Sequence, residues 1–287
     1  MDSEYLKGFT MTALGVLVLS FDALLIRLIH VPAFDLLFWR GLLLSVVGLA
    51  WCRYALPSRG LPRLDWPLFR SAFFFVMSTI CFVSAINLTS AANVLVIISA
   101  QPLFAAVMSR LFLKEKTAVE TWIAIGISMA GIAWVLSESW HGPNLTGDLL
   151  ALVCGLGLSG KFVNDRASGS RNMTPSLIFA GAAIAAVSLV AGDPLSLQGA
   201  AWIWMIILCV GVIPLAFILI TLGPMRISAA EVGMLMLLET ATGPLWIWLC
   251  LNEAPGRRAV EGGIVVVTTL LIHGWIKWRK QRAVAAG

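Results

Sequence analysis

The sequence predicts an all-α membrane protein with ten transmembrane helices, arranged as a 5+5 inverted repeat. Of its 287 residues, 59% are hydrophobic and only 12% are charged, whereas a soluble domain is about 25% charged. Apolar stretches long enough to cross a bilayer, about 20 residues each, recur along the chain, and one stretch is repeated at a fixed distance. Since ten spans use most of the chain, a separate catalytic or nucleic-acid-binding domain is excluded.

The ten predicted spans alternate with short connections that contain proline, glycine and charged residues, as expected of loops between helices. Tryptophans lie near many span ends, where their rings suit the interface between lipid and water. In chain order the predicted spans are Thr10–Ile29, Phe34–Trp51, Leu68–Leu88, Ala91–Phe112, Ala118–Leu136, Gly147–Val163, Pro175–Ala191, Ala201–Leu222, Ala229–Leu251 and Gly262–Ile276.

The distribution of lysine and arginine predicts the orientation. With ten spans both termini face one side, and that side carries sixteen of the twenty basic residues. The opposite connections carry only Arg257 and Arg258, while Arg27 and Arg40 lie inside spans. Because basic residues mark cytoplasmic loops, we predict that both termini are cytoplasmic and that the chain resides in a bacterial inner (plasma) membrane. The same loops account for the net charge of +5, so no nucleic-acid partner is expected.

The chain contains an internal repeat with a shift of 138 residues. Ser90–Glu115 aligns with Ser228–Glu253 without a gap, with seven identities in 26 positions. The repeat places the fourth span over the ninth, and an odd number of spans per repeat gives the halves opposite orientations. Residues 1–138 and 139–287 are therefore predicted to be two inverted halves of one transmembrane domain. Inverted repeats with a site between them are typical of transporters.

Each repeat segment combines a Ser-Ala-Ala start, a polar residue at its midpoint and a glutamate at its end. These residues are Ser90-Ala91-Ala92, Gln101-Pro102 and Leu113-Lys114-Glu115 in the first half, and Ser228-Ala229-Ala230, Glu239 and Leu251-Asn252-Glu253 in the second. On the basis of these residues, the chain length and the 5+5 spans, the chain resembles the EamA branch of the drug/metabolite transporter superfamily over essentially its whole length. The resemblance implies an exporter of small metabolites, most similar to the YddG-type amino-acid exporters.

The chain departs from the family pattern at the midpoints of the repeats. The family often has Glu-Pro in both halves, whereas this chain has Gln101-Pro102 in the first and Glu239-Thr240 in the second, with the next proline at Pro244. The two halves have therefore diverged, and a carboxylate shared by both halves is not expected to couple transport.

Five polar residues inside or beside the spans are predicted to line the transport pathway, because a polar group in hydrocarbon usually faces protein or a water-filled path. Asp22 is interpreted either as a pathway carboxylate or as a hydrogen-bond partner between helices. Glu239 and its repeat equivalent Gln101 are predicted pathway residues, with helix–helix contact as the alternative. Asn87 and Asn93 flank a short turn and either line the cavity or shape the turn.

Basic residues inside the spans have two interpretations. Arg27 and Arg40 either snorkel to the outer interface or capture a substrate carboxylate, and Trp39 is grouped with Arg40 as a pathway residue. Lys161 and Asp165 are four residues apart, which predicts an ion pair on a helix surface. On that interpretation, Lys161→Ala should leave transport largely intact.

Three prolines within spans, Pro102, Pro214 and Pro244, are predicted hinges. Each removes a backbone donor and frees a carbonyl one turn earlier, which exposes polar backbone where it can line a cavity. A static kink is the alternative interpretation for all three.

The leading functional hypothesis is a secondary transporter that exports neutral or aromatic amino acids by alternating access. It predicts a mainly apolar cavity with Trp, Phe and Met contacts and a few hydrogen bonds, driven by the solute gradient or by protons. Nucleobases, sugars, drugs and lipid-like solutes are the alternative substrates.

An enzyme and a channel are less favoured than a transporter. A lipid-modifying enzyme needs nucleophiles or metal ligands in the membrane, but the only histidines, His30, His141 and His273, lie near loops or a span end. A channel needs an oligomeric axis or a charged filter, and neither is visible. No catalytic residue, metal or cofactor is expected. The expected partners are a small-molecule substrate and membrane lipid, and a chain that holds both halves is expected to function as a monomer.

Overall fold

The computed structural model describes residues 3–55, 63–114, 119–139, 144–169, 171–227 and 229–285, and these ranges contain helices and no strands. Of the predicted features, Ala118 and the repeat ends Glu115 and Ser228 lie outside the described residues. The α-helices are α1 (Ser3–Leu19), α2 (Asp22–Ile29), α3 (Ala33–Ala55), α4 (Trp66–Leu88), α5 (Ala91–Ile98), α6 (Gln101–Leu113), α7 (Val119–Ser139), α8 (Leu145–Ala167), α9 (Pro175–Ala191), α10 (Ala201–Ile206), α11 (Ile213–Leu222), α12 (Ala229–Leu235), α13 (Leu237–Leu251) and α14 (Arg257–Ala285).

Seven helical segments of the described chain are long and apolar enough to cross a membrane, which confirms the predicted class of all-α, multi-pass membrane protein. Two shorter apolar helices, Trp122–Ser137 and Pro175–Ala191, accompany them. The seven segments are Glu4–Ile29, Ala33–Tyr54, Trp66–Leu88, Ala91–Leu113, Leu145–Ala167, Ala201–Met225 and Glu231–Leu251.

Several predicted spans are interrupted near their middle. The α-helix breaks after Leu19, between α1 and α2, after Ile98, between α5 and α6, and at Met236, between α12 and α13. A π-helical segment, Ile207–Val212, joins α10 to α11. Ile98 and Met236 are 138 residues apart, which is the shift of the sequence repeat. Breaks leave backbone groups without helical partners, which a membrane protein tolerates only where they face protein or a cavity.

Four helix pairs make the most extensive contacts: α4 with α8, α3 with α9, α7 with α14, and α1 with α11. In the α3–α9 pair the backbones nearly touch. A Cβ atom on Gly41 would lie 2.6 Å from the carbonyl oxygen of Gly181, and one on Gly181 would lie 2.6 Å from that of Gly41. The Ser45 hydroxyl donates to the carbonyl of Ile178 at 3.0 Å. In lipid there is no hydrophobic driving force between helices, so their association depends on close van der Waals packing, which small residues at the crossing allow.

Gly41→Leu is therefore expected to destabilise the fold. The added side chain has no room against α9, and overpacking costs about 1–3 kcal/mol even where neighbours can move. The thermal unfolding temperature in detergent should fall, as followed by size-exclusion chromatography after heating. Gly126→Ala in α7 is the control, because a Cβ atom there meets no atom of the described residues within 4 Å. Equal unfolding temperatures for the two variants would contradict the close α3–α9 contact.

One end of the bundle is held by a polar contact outside the membrane-spanning segments. Asp65 caps α4 by accepting a hydrogen bond from the backbone N–H of Leu68 at 3.2 Å. Its carboxylate also lies 2.7 Å from the guanidinium of Arg171, in the connection between α8 and α9. The hydrogen bond from Arg171 holds the pKa of Asp65 below its usual range. The start of α4 is thus tied to the segment that follows α8.

Candidate functional site

A cavity lies where the three helix breaks meet. Leu19, Ile98 and Met236, the residues at the breaks, all contribute to its wall. The space is narrow and accommodates about one water molecule. Its lining residues come from both halves of the chain: Leu19, Asp22, Arg40, Ser78, Thr79, Phe82 and Ile98 from the first, and Cys154, Leu158, Phe217, Met236 and Glu239 from the second.

A buried ion pair forms one wall of this cavity. Arg40 in α3 donates to both carboxylate oxygens of Asp22, at 2.6 and 2.7 Å, and each side chain is 2% exposed. The break after Leu19 makes Asp22 the first residue of α2, and the N-terminus of a helix favours a negative charge. The paired, charge-assisted geometry is a strong form of hydrogen bonding. It fixes α2 against α3 beside the cavity.

Glu239 supplies the second carboxyl group of the cavity. It is the third residue of α13, directly after the break at Met236, and it is 6% exposed. Its carboxyl group makes no hydrogen bond with the described residues. Arg40 is already bound to Asp22, so the cavity holds one guanidinium for two carboxyl groups. A carboxyl group in this position can accept a proton or bind a cationic group of a ligand.

The rest of the wall is both polar and apolar. Ser78 and Thr79 of α4 add hydroxyl groups, and the Ser78 hydroxyl lies 3.2 Å from the thiol of Cys154. Phe82 and Phe217 add aromatic rings. The sequence predicted a mainly apolar cavity with Trp, Phe and Met contacts. The structure supplies the Phe and Met contacts, but the wall holds more polar groups than expected, and no tryptophan of the described residues lines it.

Three of the seven predicted pathway residues, Asp22, Arg40 and Glu239, thus come together in one cavity. The interpretation of Arg40 as a snorkelling residue is wrong, because its guanidinium is buried and bound to Asp22. Asp22 bonds to a second helix through Arg40 and also lines the cavity; its role in a transport pathway stays a prediction.

Two further predicted residues, Trp39 and Gln101, lie away from the cavity. The indole N–H of Trp39 donates to the carbonyl of Pro194 at 2.8 Å, and its ring packs edge-on against Trp202. Gln101 is the first residue of α6 and is fully buried, and neither polar atom of its side chain has a hydrogen-bond partner among the described residues.

The two predicted asparagines also lie outside the cavity. Asn87 is exposed, and its amide donates to the carbonyl of Val83 one turn earlier at 2.9 Å. Asn93 is buried, and its amide nitrogen lies 3.5 Å from the carboxylate of Asp148, which also accepts a bond from the Thr89 hydroxyl at 2.8 Å. These contacts join the start of α8 to the turn between α4 and α5.

The predicted hinge prolines occupy two kinds of position. Pro102 and Pro214 are the second residues of α6 and α11, where a missing backbone N–H costs little. Pro102 follows the break after Ile98, and Pro214 follows the π-helical segment Ile207–Val212. Pro244 lies inside α13, where it leaves the carbonyl of Thr240 without its helical donor. Bending at these residues stays a prediction.

A second buried polar group, the Lys161 cluster, consists of Lys161, Asp165, Thr221, Ser71 and Ser176. The Lys161 ammonium lies 2.5 Å from the Asp165 carboxylate and 3.1 Å from the Thr221 hydroxyl. The Ser71 hydroxyl donates to Asp165 at 2.6 Å and lies 3.0 Å from the Ser176 hydroxyl. The predicted pair between Lys161 and Asp165 is confirmed, but its surface position is wrong, since the two side chains are 0% and 1% exposed. Three other helices cover this face of α8.

The chain resembles known transporters in sequence and a solved structure in fold. The model of the EamA-like transporter family matches residues 6–137. Two curated relatives, both named pseudopaline exporter CntI and from Pseudomonas aeruginosa strains UCBPP-PA14 and PAO1, are each 23% identical over 276 residues, covering 93% of this chain and 92% of theirs. A crystal structure described only as that of a protein shares the fold, with a TM-score of 0.71, 19% identity, and coverage of 96% of this chain and 98% of that one. Residues 6–137 therefore match the EamA-like transporter family, which is the family that the repeat segments resemble.

Proposed function

We propose that the chain is a secondary transporter that exports small organic metabolites bearing an amino group, by alternating access. The observation that carries the proposal is the Glu239 carboxyl group, which is buried, unbonded to the described residues and faces a cavity built from both halves. The family match and the exporter relatives support transport in the outward direction. Neutral and aromatic amino acids are the first substrates to test.

Ten spans in a 5+5 inverted repeat form part of this proposal. The helix pairing supports it. The α4–α8 pair joins the third and sixth predicted spans, and the α1–α11 pair joins the eighth and first, so each pair is the repeat equivalent of the other, five spans away. The α3–α9 pair joins the second and seventh spans and the α7–α14 pair joins the fifth and tenth, so each of these pairs is its own equivalent. A two-fold relation between the halves produces this pattern. The equivalent breaks after Ile98 and at Met236 add a second, independent sign of the relation.

The cavity chemistry suits an amine-bearing solute. Arg40 is neutralised by Asp22, so Glu239 is the group free to accept an ammonium ion by a charge-assisted hydrogen bond. Ser78 and Thr79 offer hydroxyl donors to a carboxylate, and Phe82 and Phe217 offer apolar surface to a side chain. A proton and an ammonium ion compete for one carboxyl group. Because Glu239 binds either a proton or the substrate, the transporter can carry one inward and the other outward.

The position of the breaks supports alternating access. The cavity has room for about one water molecule in this conformation, so a bound metabolite requires it to widen. Rigid helices on either side of the breaks at Leu19, Ile98 and Met236 can change their relative angle without losing internal hydrogen bonds. Such movement opens the cavity to one side at a time.

Counterflow in proteoliposomes tests the proposal. Vesicles preloaded with one member of a panel of amino acids, nucleobases and sugars are mixed with labelled solute, and its entry is followed. We expect stimulated, saturable exchange for neutral or aromatic amino acids. Exchange confined to nucleobases or sugars would contradict the amine-bearing substrate, and flux that never saturates would indicate a channel instead.

The orientation is tested separately with reporter fusions. Both termini are expected in the cytoplasm, because one side of the predicted topology carries most of the basic residues. A reporter enzyme that works only in the periplasm should stay inactive when fused to the C-terminus, and a cytoplasmic reporter should be active. The opposite result would reverse the proposed orientation.

A further inference from the structure

The Lys161 cluster lies on the same helix faces as the cavity. On α8 the cavity residues Cys154 and Leu158 are followed by Lys161 and Asp165, at spacings of four, three and four residues. Residues at these spacings line one face of a helix. The cluster therefore continues the cavity wall of α8 toward the C-terminal end of that helix.

The other two helices of the wall show the same continuation. On α4, Ser78 faces the cavity, and Ser71 of the cluster lies seven residues earlier, two turns away on the same face. On α11, Phe217 faces the cavity, and Thr221 of the cluster lies one turn later. Three helices thus carry polar groups from the cavity to a second polar position.

An aromatic contact separates the two positions. The ring of Phe75, one turn from Ser71 on α4, packs edge-on against Phe217 with ring centroids 4.6 Å apart. Phe75 is 1% exposed. The order along the faces of α4 and α11 is therefore cavity, aromatic pair and Lys161 cluster. The cluster lies toward the end of the bundle at which α4 begins and α8 ends, the end held by Asp65 and Arg171.

We propose that the Lys161 cluster is a second substrate site, selective for zwitterionic small molecules and used to load them from the predicted cytoplasmic side. Lys161 binds the carboxylate of the substrate and Asp165 binds its ammonium group. In the present conformation the Asp165 carboxylate takes the position of the substrate carboxylate beside Lys161, and the Lys161 ammonium takes the position of the substrate ammonium beside Asp165. This inference rests on the proposed function as an exporter.

The energetics of the pair favour exchange with a zwitterion. A buried ion pair is seldom more stable than apolar residues of similar size, but removing one partner leaves a costly buried charge. Lys161 and Asp165 can therefore separate only if opposite charges replace both partners at once. A zwitterion supplies both charges, whereas a simple amine or a simple acid supplies one and leaves the other partner unpaired.

The hydroxyl groups of the cluster suit such an exchange. Ser71, Ser176 and Thr221 surround the pair and already bond to it or to each other. A hydroxyl group rotates and serves as donor or acceptor, so these groups can bond to the closed pair and to a bound ligand alike. The two sites then act in order, the cluster for loading and the cavity at Glu239 for transfer.

The test uses proteoliposomes and three probes of similar shape: phenylalanine, phenylethylamine and 3-phenylpropanoate. The wild-type chain should exchange phenylalanine in preference to both single-charge probes. The Lys161→Met/Asp165→Leu double variant keeps similar volume without buried charge, so it should fold. We expect its KM for phenylalanine at the predicted cytoplasmic face to rise by about tenfold or more, and its preference over phenylethylamine to fall to what the cavity hydroxyl groups alone provide.

A charge-exchanged double variant, Lys161→Asp/Asp165→Lys, retains both charges and should keep the preference for phenylalanine. A folded Lys161→Met/Asp165→Leu variant with the wild-type KM and preference would overturn the loading site and leave the proposed exporter intact. No exchange of any amino acid by the folded wild-type chain would overturn the exporter proposal and this inference together.

Discussion

Arg40→Met is expected to remove most of the correctly folded protein. It leaves the Asp22 carboxylate, 2% exposed, without the guanidinium that neutralises it. Removing one partner of a buried ion pair costs about 3–5 kcal/mol, a large share of the roughly 5–15 kcal/mol that stabilises a typical protein. The measurement is the yield of monodisperse protein after solubilisation, with total expression determined on the same cells.

Two variants make this result interpretable. Arg27→Met is the matched control. Arg27 donates to the carbonyl of Thr89 at 2.9 Å and lies 3.9 Å from Glu253, but the Glu253 side chain is 50% exposed, so the change leaves no buried charge unpaired and the yield should stay near that of the wild type. The Asp22→Leu/Arg40→Met double variant removes both buried charges and should recover folded protein. Its transport should remain low, because the polar wall of the cavity is gone. If Arg40→Met protein is as abundant as Arg27→Met protein, the pair does not hold α2 against α3.

The two buried ion pairs show how far the sequence predicts this molecule. The spacing of Lys161 and Asp165 predicts their pairing, since residues four apart are neighbours on a helix. Their burial depends on three other helices, which spacing along one helix does not reveal. Asp22 and Arg40 are recognisable as charges inside spans. Their pairing was not predictable, because it depends on the break after Leu19 that starts α2.

The sequence repeat correctly relates the helix breaks of the two halves, but it does not predict which way equivalent side chains point. Gln101 and Glu239 are equivalent in the alignment, yet only Glu239 lines the cavity. Gln101 is the first residue of α6, and Glu239 is the third residue of α13. Two residues correspond to a rotation of about 200° around a helix, so the two side chains point in different directions.

The small polar residues of the cavity were missed for a different reason. Ser78, Thr79 and Cys154 lie in apolar runs, where such side chains commonly bond within their own helix or to a neighbouring one. Nothing in their local sequence separates a cavity position from a packing position. The one available signal was the seven-residue spacing of Ser71 and Ser78, which places two hydroxyl groups on one face of α4.

Glu239→Gln is expected to weaken exchange of amino acids while leaving the protein folded. Glutamine has nearly the same size, and no hydrogen bond between Glu239 and the described residues is lost. The substrate ammonium loses its charged acceptor, which is worth about 1.5–3 kcal/mol and corresponds to a rise in KM of roughly ten- to hundredfold. The measurement is KM from counterflow at several pH values.

The pH series separates binding from coupling at Glu239. If a proton and the substrate compete for this carboxyl group, exchange by the wild-type chain should weaken as pH falls, because the protonated group no longer attracts an ammonium ion. Exchange by Glu239→Gln should be low and independent of pH, since an amide does not titrate.

Glu261→Gln is the control, because Glu261 lies on the surface beside Arg257 and the same chemical change there should alter neither KM nor its pH dependence. Unchanged KM in Glu239→Gln would assign Glu239 to helix packing, and a lower but still pH-dependent exchange would place proton coupling at another residue.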